Sequence, residues 1–254
     1  MEKENEPRLL NRALTIMEAV SNQSTPIGVN QISELVGLSP STAFRILQTL
    51  AGRGWLNQDE NGKYSIGLEI YLLGNKFDFV SNLKELSYYY MKELSLLTEQ
   101  ASNLIVRKHD KCVIIQQTRS SRLVDMVAPV GTELPLHASA GGKIFLSELP
   151  QVILDQVLKE NEFRKYTEHT ITDKKRLLDE LAEIRQRGYA LDNGESTSGA
   201  RCISLPIRSH EKKIVATISL SGITKEFDSN DIEYYYGNLK KVADAIMEGL
   251  YKSY

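Results

Sequence analysis

Cysteine is nearly absent from this 254-residue chain, and its two thiols, Cys112 and Cys202, lie far apart with no metal-ligand spacing. That argues against a disulfide framework and a Cys-based zinc site, and it fits a reduced, cytoplasmic protein. Long apolar runs are missing too, and none approaches the roughly 20 residues that span a bilayer. The N-terminal MEKENEPRLL is polar and acidic, unlike a secretory signal, so no membrane partner is expected. Positive charge is not in excess either: 31 Lys and Arg against 33 Asp and Glu leave a net charge of -2. Residues 1–82 hold 7 basic and 9 acidic side chains. Any case for nucleic acid therefore rests on local geometry and not on bulk charge. Internal repeats and low-complexity tracts are absent. What is present is an ordinary globular composition, 41% hydrophobic and 25% charged, on a chain long enough for one large domain or two small ones.

Helical periodicity opens the chain. In RLLNRALTIMEAVSN the residues Leu10, Leu14, Met17 and Val20 recur at three- and four-residue steps and give one apolar face. Ser24-Thr25-Pro26 breaks the pattern. A short second helix is expected in VNQISELVG, with Ile32, Leu35 and Val36 apolar, Gly28 at its start and Gly37 ending it. Ser39 is placed to cap a third helix and Pro40 to occupy its first position, where a missing N–H is harmless. Ala43, Ile46, Leu47 and Leu50 would form its buried side. Two short extended pieces in WLNQDENGKYSIG then flank Glu60-Asn61-Gly62-Lys63, a tight-turn signal. Three helices and a hairpin in this order predict a winged helix-turn-helix over residues 1–67. A connecting helix is expected over 68–82, because Leu68, Leu72 and Leu73 keep helical spacing, with a domain boundary near Asn82.

From Leu35 to Gln58 the chain carries two arginines and no acid. On the third helix Ser41, Arg45 and Gln48 face away from the buried side, flanked by Thr42 and Thr49. A helix entering the major groove lies between two rows of phosphates, where a carboxylate is repelled. Its N-terminal residues, here beginning with Ser39, read base edges or hold phosphate on helix-end N–H groups. Lys63 at the turn tip can reach the backbone or minor groove. Ser39 to Thr42 alone would be only a helix cap. The corner, the acid-free face and the wing together predict a double-stranded DNA partner.

Residues 83–254 begin with a long amphipathic helix, LKELSYYYMKELSLLTEQ. Strands are expected in SNLIVRKHD, KCVIIQQT, RLVDMVAPVG, ARCISLPIR and KIVATISLSG. Helices are expected in HASAGGKIFLSEL, PQVILDQVLKE, ITDKKRLLDELAEIRQRG and from about Ser229 onward, making an α+β domain with one antiparallel sheet. Ala140, Gly141 and Gly142 stand at a predicted helix start, where free N–H groups favour an anion. The string lacks the remaining residues of a phosphate loop. Asp192, Cys202, Ser219 and Ser221 are small polar residues on or beside apolar strands, the two serines on one face. Leu123, Met126 and Leu134 could supply apolar walls. Such a pocket suits a small organic acid.

The segment GVNQISELVGLSPSTAFRILQTLAGRGWL, then GKYSIG and a downstream LLG, resembles the DNA-binding domain of the IclR family of bacterial transcription regulators. VGTELPLHASAGGK, TITD, RGYALDNGESTSGARCISLPI and ISLSG extend the resemblance in the family's order. Arg208-Ser209 departs from the aromatic and acidic or amide residues the family often has after the position of Ile207. The resemblance implies a regulator, in many cases a repressor, whose GAF-like C-terminal domain binds an effector at the stretches matching Ala140 to Gly142, Asp192, Cys202, Ser219 and Ser221. It also implies dimers of dimers. One winged helix alone buries little surface, and symmetric dimers are the usual remedy, so the first helix and the span Leu68 to Leu73 are expected contacts.

His137, Asp192 and Cys202 contain the residue types of a thiol enzyme, but no nucleophile motif accompanies them. Two candidate ligands, His137 and Asp192, do not define a metal site. The sequence reading is thus a ligand-responsive DNA-binding regulator without cofactor, metal or catalysis. The alternative is a DNA-binding protein whose second domain only oligomerises.

Overall fold

The computed structural model describes residues 7–74, 76, 78–120, 128–160, 163–225, 227 and 231–252. The chain divides into two compact units, residues 1–81 and 82–254.

In the first unit α1 (Arg8–Ser21), α2 (Val29–Val36) and α3 (Pro40–Gly52) precede a hairpin of β1 (Leu56–Gln58) and β2 (Tyr64–Ile66), followed by α4 (Leu68–Gly74). Ile16, Val20, Ile27, Ile32, Ala43, Ile46, Leu47, Leu56 and Tyr64 form its core. The apolar face expected of α1 is split. Ile16 and Val20 are buried, whereas Leu10 and Leu14 stay 55% and 48% exposed, and Leu9 is exposed beside them. Leu35 of α2 is exposed for the same reason: Ile32 and Ser33 take the buried side. Gly37 adopts φ +64°, the left-handed turn that lets α2 stop and the chain swing into α3. Asp59 organises the hairpin tip by accepting the N–H groups of Asn61 and Lys63 at 2.9 and 2.8 Å. A bridge between Ile27 and Tyr64 ties the hairpin back to the α1–α2 connection.

The connecting helix is two helices. α4 ends at Gly74, and α5 (Asp78–Thr98) begins well before the Leu83 start expected from its apolar pattern. Periodicity alone reports the apolar stripe and not where the backbone ladder breaks.

The second unit holds β3 (Ala101–Lys108), β4 (Lys111–Thr118), β5 (Glu133–Pro135), α6 (Ala140–Ser147), α7 (Gln151–Glu160), α8 (Lys174–Arg187), β6 (Ala190–Asp192), β7 (Ala200–Arg208), β8 (Ile214–Ile223) and α9 (Ile232–Lys252). The strands form one antiparallel sheet in the order β5-β4-β3-β8-β7-β6. Most of the strand expected in RLVDMVAPVG, residues 122–127, lies outside the described residues. The three-residue β6 was not expected, being too short to show alternation. Side chains alternate along each strand. Asn103, Ile105, Ala200, Cys202, Ser219 and Ser221 point to the face that α6 covers. Arg201 and Gly222 point to the other, where Phe227 stacks on Tyr235 of α9. A register shift in the β3–β4 pairing skips Ile115. That bulge inverts the alternation of β4, so Ile114 and Gln117 share the α6 face.

Candidate functional site

The first site is the solvent face of α3. Pro40 fills the first helical position and no acid occupies the first turn. Ser41, Phe44, Arg45, Gln48 and Thr49 are exposed, Thr42 is half-buried, and Ala43, Ile46 and Leu47 anchor the opposite side in the core. The Ser39 hydroxyl does not cap a helix N–H. It sits 2.9 Å from the Thr42 hydroxyl and 3.3 Å from that of Ser41, a cluster at the helix start. Gln48 donates its amide to Gln58 Oε1 at 3.2 Å and to the Tyr64 hydroxyl at 3.1 Å, which pins α3 to the hairpin. Thr49 is turned back onto the Arg45 carbonyl at 2.9 Å. The groups left projecting are thus Phe44 and Arg45, with Ser41 exposed beside the Ser39 hydroxyl and Lys63 exposed on the hairpin. Phe44 had not been singled out; it breaks the polar pattern of the face, and its exposure is the signal.

The second site is a cavity of about 240 Å³ in the second unit. It draws on the β-sheet, the start of α6 and the turn after β6. Of the residues expected there, Leu134, Ala140, Gly141, Asp192, Cys202, Ser219 and Ser221 line it. Leu123 and Met126 lie outside the described residues. Gly142 does not line it. A Cβ at Gly142 would stand 2.5 Å from Leu136 Cα and O, so this glycine lets α6 approach the preceding backbone. Asn103, Ile105, Ile114, Ser139 and Ser196 also line the cavity and had been missed. Alternation beside the serines could have suggested Asn103, but nothing in the sequence signals the bulge that brings Ile114 round.

Polar and apolar groups are interleaved around the wall, with Ile105 against Gly141 at the start of α6. Ser139 caps α6 by accepting Gly142 N–H at 3.2 Å, and its carbonyl accepts Lys143 N–H at 2.9 Å. The N–H groups of Ala140 and Gly141 have no acceptor among the described residues. Asn103 donates to the hydroxyls of Ser221 and Ser219 at 3.0 and 3.4 Å. Ile105, Ile114 and Leu134 supply the apolar wall. Asp192 is buried, yet Oδ1 accepts Glu195 N–H at 2.6 Å and Oδ2 accepts the Ser196 hydroxyl at 2.5 Å. Burial nevertheless raises its pKa above the usual aspartate value. Behind it Lys143, also buried, pairs with Glu195 at 2.6 Å and with Glu180 at 3.7 Å.

These groups do not form a catalytic set. Burial pushes the Cys202 thiol up to about 12, as it does Cys112, so neither is a thiolate near neutral pH. His137 does not line the cavity. Its Nε2 lies 3.1 Å from the Arg164 carbonyl, against Phe163 and Tyr166. Burial lowers its pKa. Among the described residues no group of three His, Cys, Asp or Glu is placed to hold a metal ion, and no helix is long and apolar enough to cross a membrane.

A helix-turn-helix unit with a wing, followed by an α+β unit enclosing a small cavity, defines a two-unit regulator of the DNA-binding class. Residues 9–60 match the IclR helix-turn-helix domain, and residues 80–248 match the bacterial transcriptional regulator IclR C-terminal domain. The chain belongs to the IclR family of DNA-binding transcription regulators. It is 30% identical over 242 residues to the HTH-type transcriptional regulator XynR of Escherichia coli, covering 95% of this chain and 96% of that one. It is 30% identical over 216 residues to the transcriptional repressor IclR of Escherichia coli, covering 84% and 79%. An IclR homolog from Microbacterium hydrocarbonoxydans, solved with 4-hydroxybenzoate, superposes with a TM-score of 0.85 at 23% identity, covering 95% and 98%.

Proposed function

We propose that this regulator is a repressor whose α3 enters the major groove of operator DNA and whose cavity binds a small organic acid that alters operator affinity. In this reading Ser41, Thr42 and Arg45 meet base edges or phosphates at the groove, with Ser39, Gln48 and Thr49 shaping that face. Lys63 meets the backbone from the hairpin. The relative named as a repressor supports the sign of regulation.

The observation that carries the ligand reading is the mixed lining of the cavity. Two free N–H groups at a helix start and two serine hydroxyls suit a carboxylate. Ile105, Ile114 and Leu134 suit hydrocarbon. One acceptor position left on Asp192 suits a hydroxyl on the ligand. A volume of about 240 Å³ lies below the roughly 300–1,000 Å³ of drug-sized sites, which favours a single ring or less. The homolog solved with 4-hydroxybenzoate makes that compound the first probe.

Exposed Leu9, Leu10 and Leu14 on α1, with Leu68, Tyr71, Leu72 and Leu73 on α4, form apolar surface suited to a homodimer reading two half-sites, or to a dimer of dimers. The test is a mobility shift with DNA upstream of the chain's own gene, with and without a panel of hydroxylated and plain carboxylic acids headed by 4-hydroxybenzoate. The reading expects specific DNA binding and at least one acid that shifts the midpoint. Acids that bind without moving the midpoint would leave the second unit an oligomerisation domain.

A further inference from the structure

On the α6 face of the sheet, two amides and two hydroxyls form a chain whose direction is set at one end. Gln117 places its side-chain nitrogen 2.8 Å from the Ala128 carbonyl oxygen and 2.7 Å from Asn103 Oδ1. A backbone carbonyl can only accept, so the Gln117 atom facing Ala128 must be Nε2. Both Nε2 protons are then used, and the Asn103 atom facing Gln117 must be the oxygen. Asn103 Nδ2 therefore faces the serines, at 3.0 Å from Ser221 Oγ and 3.4 Å from Ser219 Oγ. Since an amide nitrogen only donates, both serine oxygens act as acceptors toward Asn103. Each keeps its own proton for another direction: the cavity that both serines line or, for Ser221, the sulfur of its cross-strand partner Cys202.

Gln117 does not itself line the cavity. We propose that it is a positioning residue which fixes the direction of the hydrogen bonds on this wall of the cavity, so that Ser219 and Ser221 present protons to the ligand, as do the N–H groups of Ala140 and Gly141. Several donors suit a carboxylate, which has acceptor positions on both oxygens. They disfavour the neutral amide of the same shape, which has one acceptor oxygen and whose NH₂ could be received only by the second lone pair of a serine that already accepts from Asn103. The bulge at Ile115 is what makes this possible. Without it Gln117 would point to the opposite face of the sheet and Asn103 could rotate either way.

The selectivity part of this inference rests on the ligand reading given above; the amide polarity does not. Two measurements separate them. Neutron diffraction from deuterium-exchanged crystals of the full chain reads the polarity with no ligand present. The expected map has deuterium on Asn103 Nδ2 toward both serines and the serine deuterons turned to the cavity or Cys202. In Gln117→Glu, which can only accept toward Ala128 and Asn103, the Asn103 amide should reverse and the serine deuterons should turn toward it. A wild-type map with Asn103 Oδ1 facing the serines overturns the proposal. Calorimetry then compares 4-hydroxybenzoate with 4-hydroxybenzamide on the wild type and on the uncharged variant Gln117→Met. The wild type should prefer the acid, and the variant should lose about fivefold of that preference, the effect of one ordinary hydrogen bond. Its affinity for the amide should not fall. Equal losses for both probes mean that Gln117 is merely structural. If the wild type binds neither probe at millimolar concentration, the ligand reading and the selectivity built on it are overturned for this compound class, and the neutron map alone decides the amide polarity.

Discussion

The solvent face of α3 and the cavity of the second unit are built in opposite ways. The α3 face is one helix whose neighbouring positions follow from three- and four-residue spacing. Its members Ser41, Arg45 and Gln48 are legible as soon as Ala43, Ile46 and Leu47 are assigned to the core. The cavity instead draws single residues from β3, β4, β7, β8, the start of α6 and the turn after β6. Its composition depends on strand register, and one bulge moves Ile114 and Gln117 from face to face. A surface that meets a long regular polymer can be local in sequence. A pocket that encloses a small molecule has to be gathered from several elements.

The substitution expected to separate the two regions most sharply is Gly141→Leu. A Cβ at Gly141 would already lie 2.8 Å from Thr217 Oγ1 and 3.1 Å from Ile105 Cδ1. Thr217 is buried and β-branched, so the larger residue must displace it, or α6 itself, as well as fill the cavity. Ligand response should be abolished and operator binding retained, as measured by paired operator titrations. Gly142→Ala breaks the comparison differently, because its Cβ would meet Leu136 backbone. A backbone cannot rotate aside, so unfolding of the second unit should shift by about 1–3 kcal/mol or more, read by chemical denaturation.

Arg45→Ala should act on the first unit alone. If the guanidinium reads a guanine, operator affinity falls by about 1–3 kcal/mol, concentrated at one base. If it holds a phosphate, all sequences weaken alike and the salt slope drops by about one. Ligand affinity should not change in either case. The effect confined to alkaline pH concerns the two thiols. Each has a folded pKa raised by burial to about 12, above the ordinary value of 9.0. Their protonated form is favoured in the folded state, so this contribution is fully present below pH 9 and is lost as pH rises from 9.0 toward about 12. Denaturation midpoints should therefore decline with pH over that window, and the double variant Cys112→Ala, Cys202→Ala should flatten the decline.

These contrasts also explain what could be read before the fold was known. Pro40 at the helix start, Gly37 at the corner and Gly62 at the hairpin turn each have a local backbone role, so the first unit was legible almost element by element. The division of α1 was not, since Leu10, Leu14, Met17 and Val20 share one stripe of three- and four-residue steps, while the core takes Val20 together with Ile16 from beside it. In the second unit the strands and the α6 start were legible, and with them Ala140, Gly141, Ser219 and Ser221. Gly142 was misplaced because a run of glycines says that backbone comes close without saying to what. Asn103 and Gln117 went unremarked because an amide in a strand gains its meaning from the residue paired across from it.

The central claim is that the α3 face binds operator, the cavity binds ligand, and the two events are coupled in free energy. The coupling can arise only if the ligand binds two states of the protein with different affinity, and typical values are about 1–3 kcal/mol. The most direct test is a crossed titration. Operator binding is measured with and without 4-hydroxybenzoate, or the acid from the panel that binds, and ligand binding is measured by calorimetry, for the wild type, Arg45→Ala and Gly141→Leu. The account expects the wild-type operator midpoint to move roughly 5–150-fold with ligand. It expects Arg45→Ala to bind ligand normally while losing operator affinity, and Gly141→Leu to bind operator normally at a midpoint that ligand no longer moves. A Gly141→Leu protein that responds to ligand as the wild type does would contradict the account.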